Sequence, residues 1–282
     1  MELTPASTIK VPRILIQPSR GLFHLELSAI WQHRDLLLLL AWRDIKVRYK
    51  QTAIGAGWAI IQPLLTMVVF TVVFGNLAKI PSDGLPYPIF AYTALLPWTY
   101  FAQGLNRSGN SMVGNARLIT KVYFPRLLIP LSALGAPTVD FFLSFLILLG
   151  LMAWYGISPT WSVLALPLLL LLALLTAITA GLWLSPINVK YRDVSYTLPF
   201  LTQFWMYASP VVYPVSLVPE KWRWLYSLNP MVGVIEGFRW ALLGKQSPDL
   251  TVMAVSTSVV LIFFLGGIVF FKRVERMFAD VV

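Results

Sequence analysis

Long continuous apolar runs alternate with short polar loops along most of the chain. Six runs fall at about 54–78, 88–112, 127–154, 161–187, 194–215 and 250–271, and roughly 20 apolar residues in a helix cross a bilayer. Each run predicts a transmembrane helix, because only a helix satisfies its own backbone groups where water is absent. Two segments depart from the pattern. The run Leu36 to Trp42 is too short to span, and Arg34, Asp35, Arg43, Asp44, Lys46, Arg48 and Lys50 surround it; it predicts a helix lying in the interface plane. Residues 217–247 are aromatic and moderately apolar but interrupted by Pro219, Pro230, Gly233, Gly237 and Gly244. That pattern predicts two half-helices that dip into the membrane and return, or else an amphipathic helix on its outer surface.

Composition agrees with this reading. Hydrophobic residues make up 57% and charged residues 12%, with a mean hydropathy of +0.72, against roughly 45–50% and about 25% in soluble domains. The expected fold class is an all-α membrane protein: six spans, an interfacial helix before them, and re-entrant half-helices before the last. The net charge of +10 does not point to nucleic acid, because the basic residues lie in loops between apolar runs, where anionic lipid and the positive-inside bias explain them. With a cytosolic N-terminus, residues 1–53, the loop near 107–126, the Lys190/Arg192 loop and the tail hold 17 of the 22 basic residues. The other side keeps Lys79, Lys221, Arg223, Arg239 and Lys245. Both termini are therefore expected in the cytosol. The chain divides into an N-terminal tail and interfacial helix (1–53), a six-span domain (54–271) and a short tail (272–282). Residues 1–23, with Pro5, Pro12 and Pro18, lack the basic-then-apolar start of a signal peptide.

Within the cytosolic loop 113–126, residues 115–123 predict a short docking helix. Leu118, Ile119 and Val122 fall on one side and Arg117 and Lys121 on another. A helix this short neither spans nor folds alone, so its apolar side needs a partner. Asn115 begins the segment and Tyr123 ends it.

The spans differ in polarity. In the second, Gln103, Asn106, Arg107 and Asn110 recur at helical spacing, and the stripe extends through Thr99 to Tyr92. In the first, Trp58, Gln62 and Thr66 are four apart; in the fifth, Ser195, Pro199, Thr202, Met206, Ser209 and Tyr213 form a stripe beside Tyr196, Gln203 and Tyr207. Unpaired polar groups facing lipid cost several kcal/mol each, so these side chains face one another, holding the bundle together, or line a path. Aromatic faces mixed with amides and hydroxyls suit sugar rings, and three helices are too few to enclose a wide path, so two copies of the chain are expected to contribute. Asp140 is the one carboxylate deep in an apolar run, and no basic partner is expected at matching depth. It reads as a hydrogen-bonded or protonated structural residue, or as a coupling proton site. Glu236 and Arg239, three apart, are expected to pair locally.

The machinery of an enzyme is missing. The chain has no cysteine, hence no thiolate metal site or cysteine nucleophile. It has no phosphate-binding Gly-x-x-x-x-Gly-Lys-Ser/Thr loop. His24 and His33 both precede the first span and make no metal motif, and no nucleophile–base spacing is visible. No internal repeat of the kind found in secondary transporters stands out. A six-span body with a docking helix and no motor must borrow its energy from another subunit.

Several short motifs in order carry a family resemblance: Arg34-Asp35-Leu36, Arg43-Asp44-Ile45-Lys46-Val47-Arg48-Tyr49, Gly55 and Trp58, Leu118 through Arg126, Asn188-Val189-Lys190-Tyr191-Arg192-Asp193, and Asn229-Pro230. Over roughly 30–275 the chain resembles the membrane subunit of type-2 ABC exporters, in the branch that moves polysaccharides across the bacterial inner membrane. The resemblance implies a homodimer paired with two ATPase subunits, which bind ATP and Mg, so that this chain needs no cofactor of its own. It implies export of lipid-linked O-antigen, capsule or teichoic-acid-like polymer. It assigns the coupling helix to Asn115–Tyr123, the interfacial helix to about 35–50, the gate half-helices to about 217–247 with Asn229, Pro230, Glu236 and Arg239, and the channel to spans one, two and five. Two other readings stand beside it. One is a permease of the same fold for a small amphiphile such as a drug or lipo-oligosaccharide. The other is a membrane-embedded transferase, which needs a carboxylate or histidine cluster that Asp140 and Asp193 are too isolated to supply.

Overall fold

The computed structural model describes residues 27–50, 55–244 and 249–275. The N-terminal tail with His24, the approach to the first span, Lys245 and the end of the C-terminal tail lie outside the described residues. All regular structure among the described residues is helical. A short α1 (Leu27–Gln32) leads into α2 (Arg34–Lys50), which covers the segment expected to lie in the interface plane. Then come α3 (Gly57–Phe70), continued to Leu77 by a π-helical stretch, and α4 (Tyr87–Gly114). A short α5 (Ala116–Lys121) falls where the docking helix was expected. A short α6 (Leu128–Ser132) precedes α7 (Gly135–Trp154), followed by α8 (Leu166–Lys190) and α9 (Asp193–Tyr207). The last three are α10 (Glu220–Tyr226), α11 (Pro230–Leu243) and α12 (Leu250–Glu275).

Among the described residues, four helical segments are long and apolar enough to cross a membrane: Gly57–Leu77, Leu128–Trp154, Trp161–Lys190 and Leu250–Glu275. The second expected span, α4, has 28 residues, about 42 Å of helix, but carries more polar groups. The fifth differs from the sequence reading. Its helix, α9, has 15 residues, about 22 Å, and residues 208–214 turn instead of continuing. Three local causes act together. The Ser209 hydroxyl donates back to the Trp205 carbonyl at 2.9 Å, the Asn229 amide donates to the Ala208 carbonyl at 3.1 Å, and Pro210 has no N–H to offer.

The core is built around α4, which packs on α8, α7, α11 and α3. Tyr92, Phe90, Phe101 and Leu105 of α4 are fully buried. The approach of α4 to α8 depends on small residues at matching spacing. Gly104 and Ser108 of α4 face Ala177 and Gly181 of α8, and a Cβ on Gly104 would stand 2.9 Å from that of Ala177. Close backbone approach of this kind drives helix association where no hydrophobic effect acts between helices. A Cβ on Gly181 would overlap the Ser108 side chain, so Gly181→Ala is expected to destabilise the bundle by about 1–3 kcal/mol. Adding Ser108→Gly should restore it. Thermal unfolding of the two variants in detergent checks this.

Candidate coupling and transport site

At the loop end of α4, α2 crosses the break between α6 and α7. The crossing is tight: a Cβ on Gly135 would lie 2.9 Å from the Ala41 Cβ. The last turn of α2 is thereby delivered onto Asp140, which is 4% exposed. Arg48 forms an ion pair with its carboxylate, and the Tyr49 hydroxyl donates to it. Arg48 also donates to the Gln103 amide oxygen at 3.3 Å. This corrects the expectation that Asp140 has no basic partner. The partner comes from the interfacial helix and not from another span, and Tyr49 and Asp140 are 91 positions apart. Burial first, and then the bond to Asp140, push the Tyr49 hydroxyl up to about 12, so it remains a donor.

The same helix reaches the docking loop. Arg43 pairs with Asp44 at 2.7 Å and donates to the Asn115 side chain at 2.9 Å. Asn115 also holds the end of α4, donating to the Ser111 carbonyl at 2.8 Å. So α2 connects the start of α5 to the buried acid of α7. Helix α5 is shorter than the expected 115–123, ending at Lys121 with Val122 in extended backbone, and the apolar residues of the segment divide. Ile119 is buried in an apolar cluster with Met112, Phe124, Leu127 and Phe271, and Leu118 packs against it. Val122 and Tyr123 are 50% and 80% exposed, beside exposed Arg117 and Lys121. The exposed surface of the segment is therefore its C-terminal end, while Ile119 anchors it from within.

The polar stripes divide in the same way. On α4, Tyr92 is fully buried, its hydroxyl on the Ser144 carbonyl at 3.1 Å. The Asn106 amide caps the Ala102 carbonyl at 2.8 Å. Thr99 and Gln103 line a small void against Asp140, and Arg107 is half-buried. Asn110 belongs to a polar knot: the Ser195 hydroxyl reaches its side-chain oxygen at 2.6 Å, and the Asn188 amide reaches the same oxygen at 3.1 Å. Asn188 donates as well to the Gly109 carbonyl at 3.0 Å. The knot ties the start of α9 to α4 and α8. The sequence marked Asn188 and Ser195 only as members of a motif and a stripe; their meeting required the fold. On α9, Thr202 and Met206 point into the core, whereas Gln203 and Tyr207 are exposed and joined by a 3.3 Å bond. Trp58 and Gln62 of α3 are exposed too, and Thr66 bonds the Gln62 carbonyl at 2.9 Å. The outward face of α9 thus shows Tyr196, Phe200, Gln203, Phe204 and Tyr207.

At the other end of α4, Asn229 organises the interrupted segment. Its side-chain oxygen accepts from the Met231 amide at 3.1 Å, capping α11 ahead of Pro230, as expected of Asn–Pro at a helix start. The same oxygen accepts from the Trp205 indole at 2.9 Å, and the amide donates to the Ser209 hydroxyl at 2.9 Å. These bonds tie the end of α9 to the start of α11. Tyr213 donates to the Tyr207 carbonyl and accepts from the Tyr226 hydroxyl, both at 3.1 Å. Glu236 and Arg239 pair at 3.0 Å, as their spacing implied.

A family model described as "ABC-2 type transporter" matches residues 35–243, from the interfacial helix to the end of α11. The chain belongs to the ABC-2 type transporter family. Among its relatives, the O-antigen export system permease protein RfbA of Myxococcus xanthus is 30% identical over 251 residues, covering 88% of this chain and 95% of the relative. The polysialic acid transport protein KpsM of Escherichia coli is 25% identical over 244 residues, 83% and 92% of the two chains. The inner membrane transport permease YadH of Escherichia coli K12 is 25% identical over 217 residues, 73% and 84% of the two. This ABC-2 chain is thus a multi-pass membrane protein and a transport subunit.

Proposed function

We propose that this ABC-2 chain is the permease of a polysaccharide exporter in the bacterial inner membrane. It works as a homodimer with two copies of a separate ABC ATPase and has both termini in the cytosol. The substrate is a lipid-linked polymer of the O-antigen, capsule or teichoic-acid type. The names of the RfbA and KpsM relatives support that class. The observation that carries the reading is the exposed face of α9. Phe200 is 74% and Phe204 66% exposed, with Gln203 and Tyr207 between and beside them. Apolar patches of this size mark interaction surfaces, and aromatic rings interleaved with an amide and a phenol suit sugars. A path through a single chain is blocked by the packed side chains of α4. The polymer therefore runs between two copies, along α3 and α9, with Trp58, Gln62, Gln203 and Tyr207 on its wall.

In this reading ATP and Mg bind the partner, whose motion is received at Val122 and Tyr123. Because Arg43 joins α2 to the docking loop and Arg48 joins α2 to α7, a shift of α5 moves the interfacial helix with it. The Asn110–Asn188–Ser195 knot carries the motion into α9, and Asn229 carries it to α11, so that the spans move as packed rigid bodies. Replacing Trp58 or Tyr207 with Ala is expected to lower surface polymer while the protein still assembles, since both side chains are exposed. Quantifying surface polymer in a complemented deletion strain tests this, and unchanged polymer would count against a sugar-lined path. Purification from the native membrane should bring a Walker-motif ATPase with the chain.

A further inference from the structure

At the end of α4 farthest from α5, the loop after α3, the segment before α10, α10 itself, α11 and the start of α12 surround a cleft of about 240 Å³. Its lining carries the carboxylates of Asp83, Glu236 and Asp249, the guanidinium groups of Arg223 and Arg239, and the indole of Trp240. None of these takes part in the coupling contacts or in the exposed face of α9.

The cleft is built from committed groups with unused capacity. Arg239 is 7% exposed and sits over the Phe90 ring at 3.6 Å. It donates to Glu236 at 3.0 Å and to the Val211 carbonyl at 3.1 Å, yet its buried Nε has no hydrogen-bond partner. Asp83 accepts from Ser216 at 2.9 Å and Asp249 from the Thr251 amide at 2.8 Å, each through Oδ1, and Glu236 accepts through Oε1. One oxygen on each carboxylate is left to accept, and Arg223, which is only partly buried, keeps guanidinium N–H groups to donate beyond its bond to the Val218 carbonyl.

These groups select the occupant. An anion would meet three carboxylates, a cation two guanidinium groups, and an apolar molecule would strand the free carboxylate oxygens and the Arg223 donors. A neutral ring bearing several hydroxyls satisfies both kinds of group at once, and its C–H face can rest on Trp240. We propose that this cleft binds a single neutral sugar unit. Its purpose rests on the polysaccharide-export reading, in which the cleft lies at the exit end and holds a unit of the emerging polymer.

Saturation-transfer NMR on the purified full-length chain, in a detergent without a sugar headgroup, tests the proposal. The probes are the methyl glycosides of glucose, mannose and galactose. Transfer to at least one glycoside is expected, falling about tenfold in affinity when a charged hydrogen-bond partner is neutralised by Asp83→Asn or Asp249→Asn. Both variants keep the local fold: Asp83 has a φ of 50°, which Asn tolerates, and Asn caps a helix as Asp does. The proposal is overturned if no glycoside receives saturation, if the variants behave like the parent, or if glycerophosphoethanolamine displaces the glycoside, since that marks a lipid-headgroup site. Surface polymer in a deletion strain separates the two ideas. Polymer lost on deletion without glycoside binding removes the cleft proposal alone; glycoside binding with polymer unaffected by deletion removes the export reading alone.

Discussion

Asp140→Ala is expected to cost this protein about 3–5 kcal/mol, because it leaves a guanidinium and a phenol facing a vacant, poorly hydrated site. The Arg48 side chain is 24% exposed and that of Asp140 5%, so solvent offers Arg48 little compensation. Removing both charges together is different, since replacing a buried pair with apolar groups of similar size is often neutral or stabilising. The double variant Arg48→Met with Asp140→Leu should therefore recover most of the stability lost by the single variant. Unfolding in detergent, followed by tryptophan fluorescence for both single variants and the double, gives the coupling energy directly. If the effects of the singles merely add, the two residues do not hold one another, and α2 is kept in place by its apolar side alone. Export separates stability from transmission: the double variant should fold yet export poorly, because α2 is no longer tied to α7.

Val122→Glu is expected to lower export at least about tenfold, equivalent to about 1.4 kcal/mol lost from one docked state, while hydrolysis by the partner ATPase continues. Val122 is 50% exposed and Ile119 6%, so the two variants of α5 should fail for different reasons. Ile119→Glu buries a charge in the cluster around Phe124 and Phe271, and the protein should be lost from the membrane. Val122→Glu should leave the amount and melting of the protein unchanged and alter only its response to the ATPase. The effect requires that one ATPase state hold the helix differently from another, since a partner indifferent to both states shifts nothing. Normal surface polymer with Val122→Glu, at normal protein level, would remove α5 from the transmission path.

Much of the architecture was legible from the run lengths. The apolar stretches ending near residues 112, 154 and 187 reappear as α4, α7 and α8, ending at Gly114, Trp154 and Lys190. The short Leu36–Trp42 run lies within α2, whose Leu38, Leu39 and Trp42 are exposed. The stop of α9 at Tyr207 was not legible, because Ser209 and Asn229 interrupt it through bonds that depend on where Asn229 lies in space. The Asn110–Asn188–Ser195 knot was hidden for the same reason, since each amide looks like any other polar residue on an apolar helix until its neighbours are known. Tyr92 shows the limit of periodicity. It shares a face with Thr99 and Gln103 by spacing, yet α7 covers that part of α4.

Composition and run length were enough for a helical membrane protein, because runs this long and continuously apolar span a bilayer only as helices that satisfy their own backbone groups. Local spacing was enough for a short helix after α4 and for the Glu236–Arg239 pair, whose partners lie within one turn. The base facing Asp140, the inward anchoring of Ile119 and the polar cleft beside Trp240 came from folding alone. Each depends on elements remote in sequence meeting at angles set by small residues such as Gly135, Gly104 and Gly181, and one-dimensional periodicity holds no information about which helices meet.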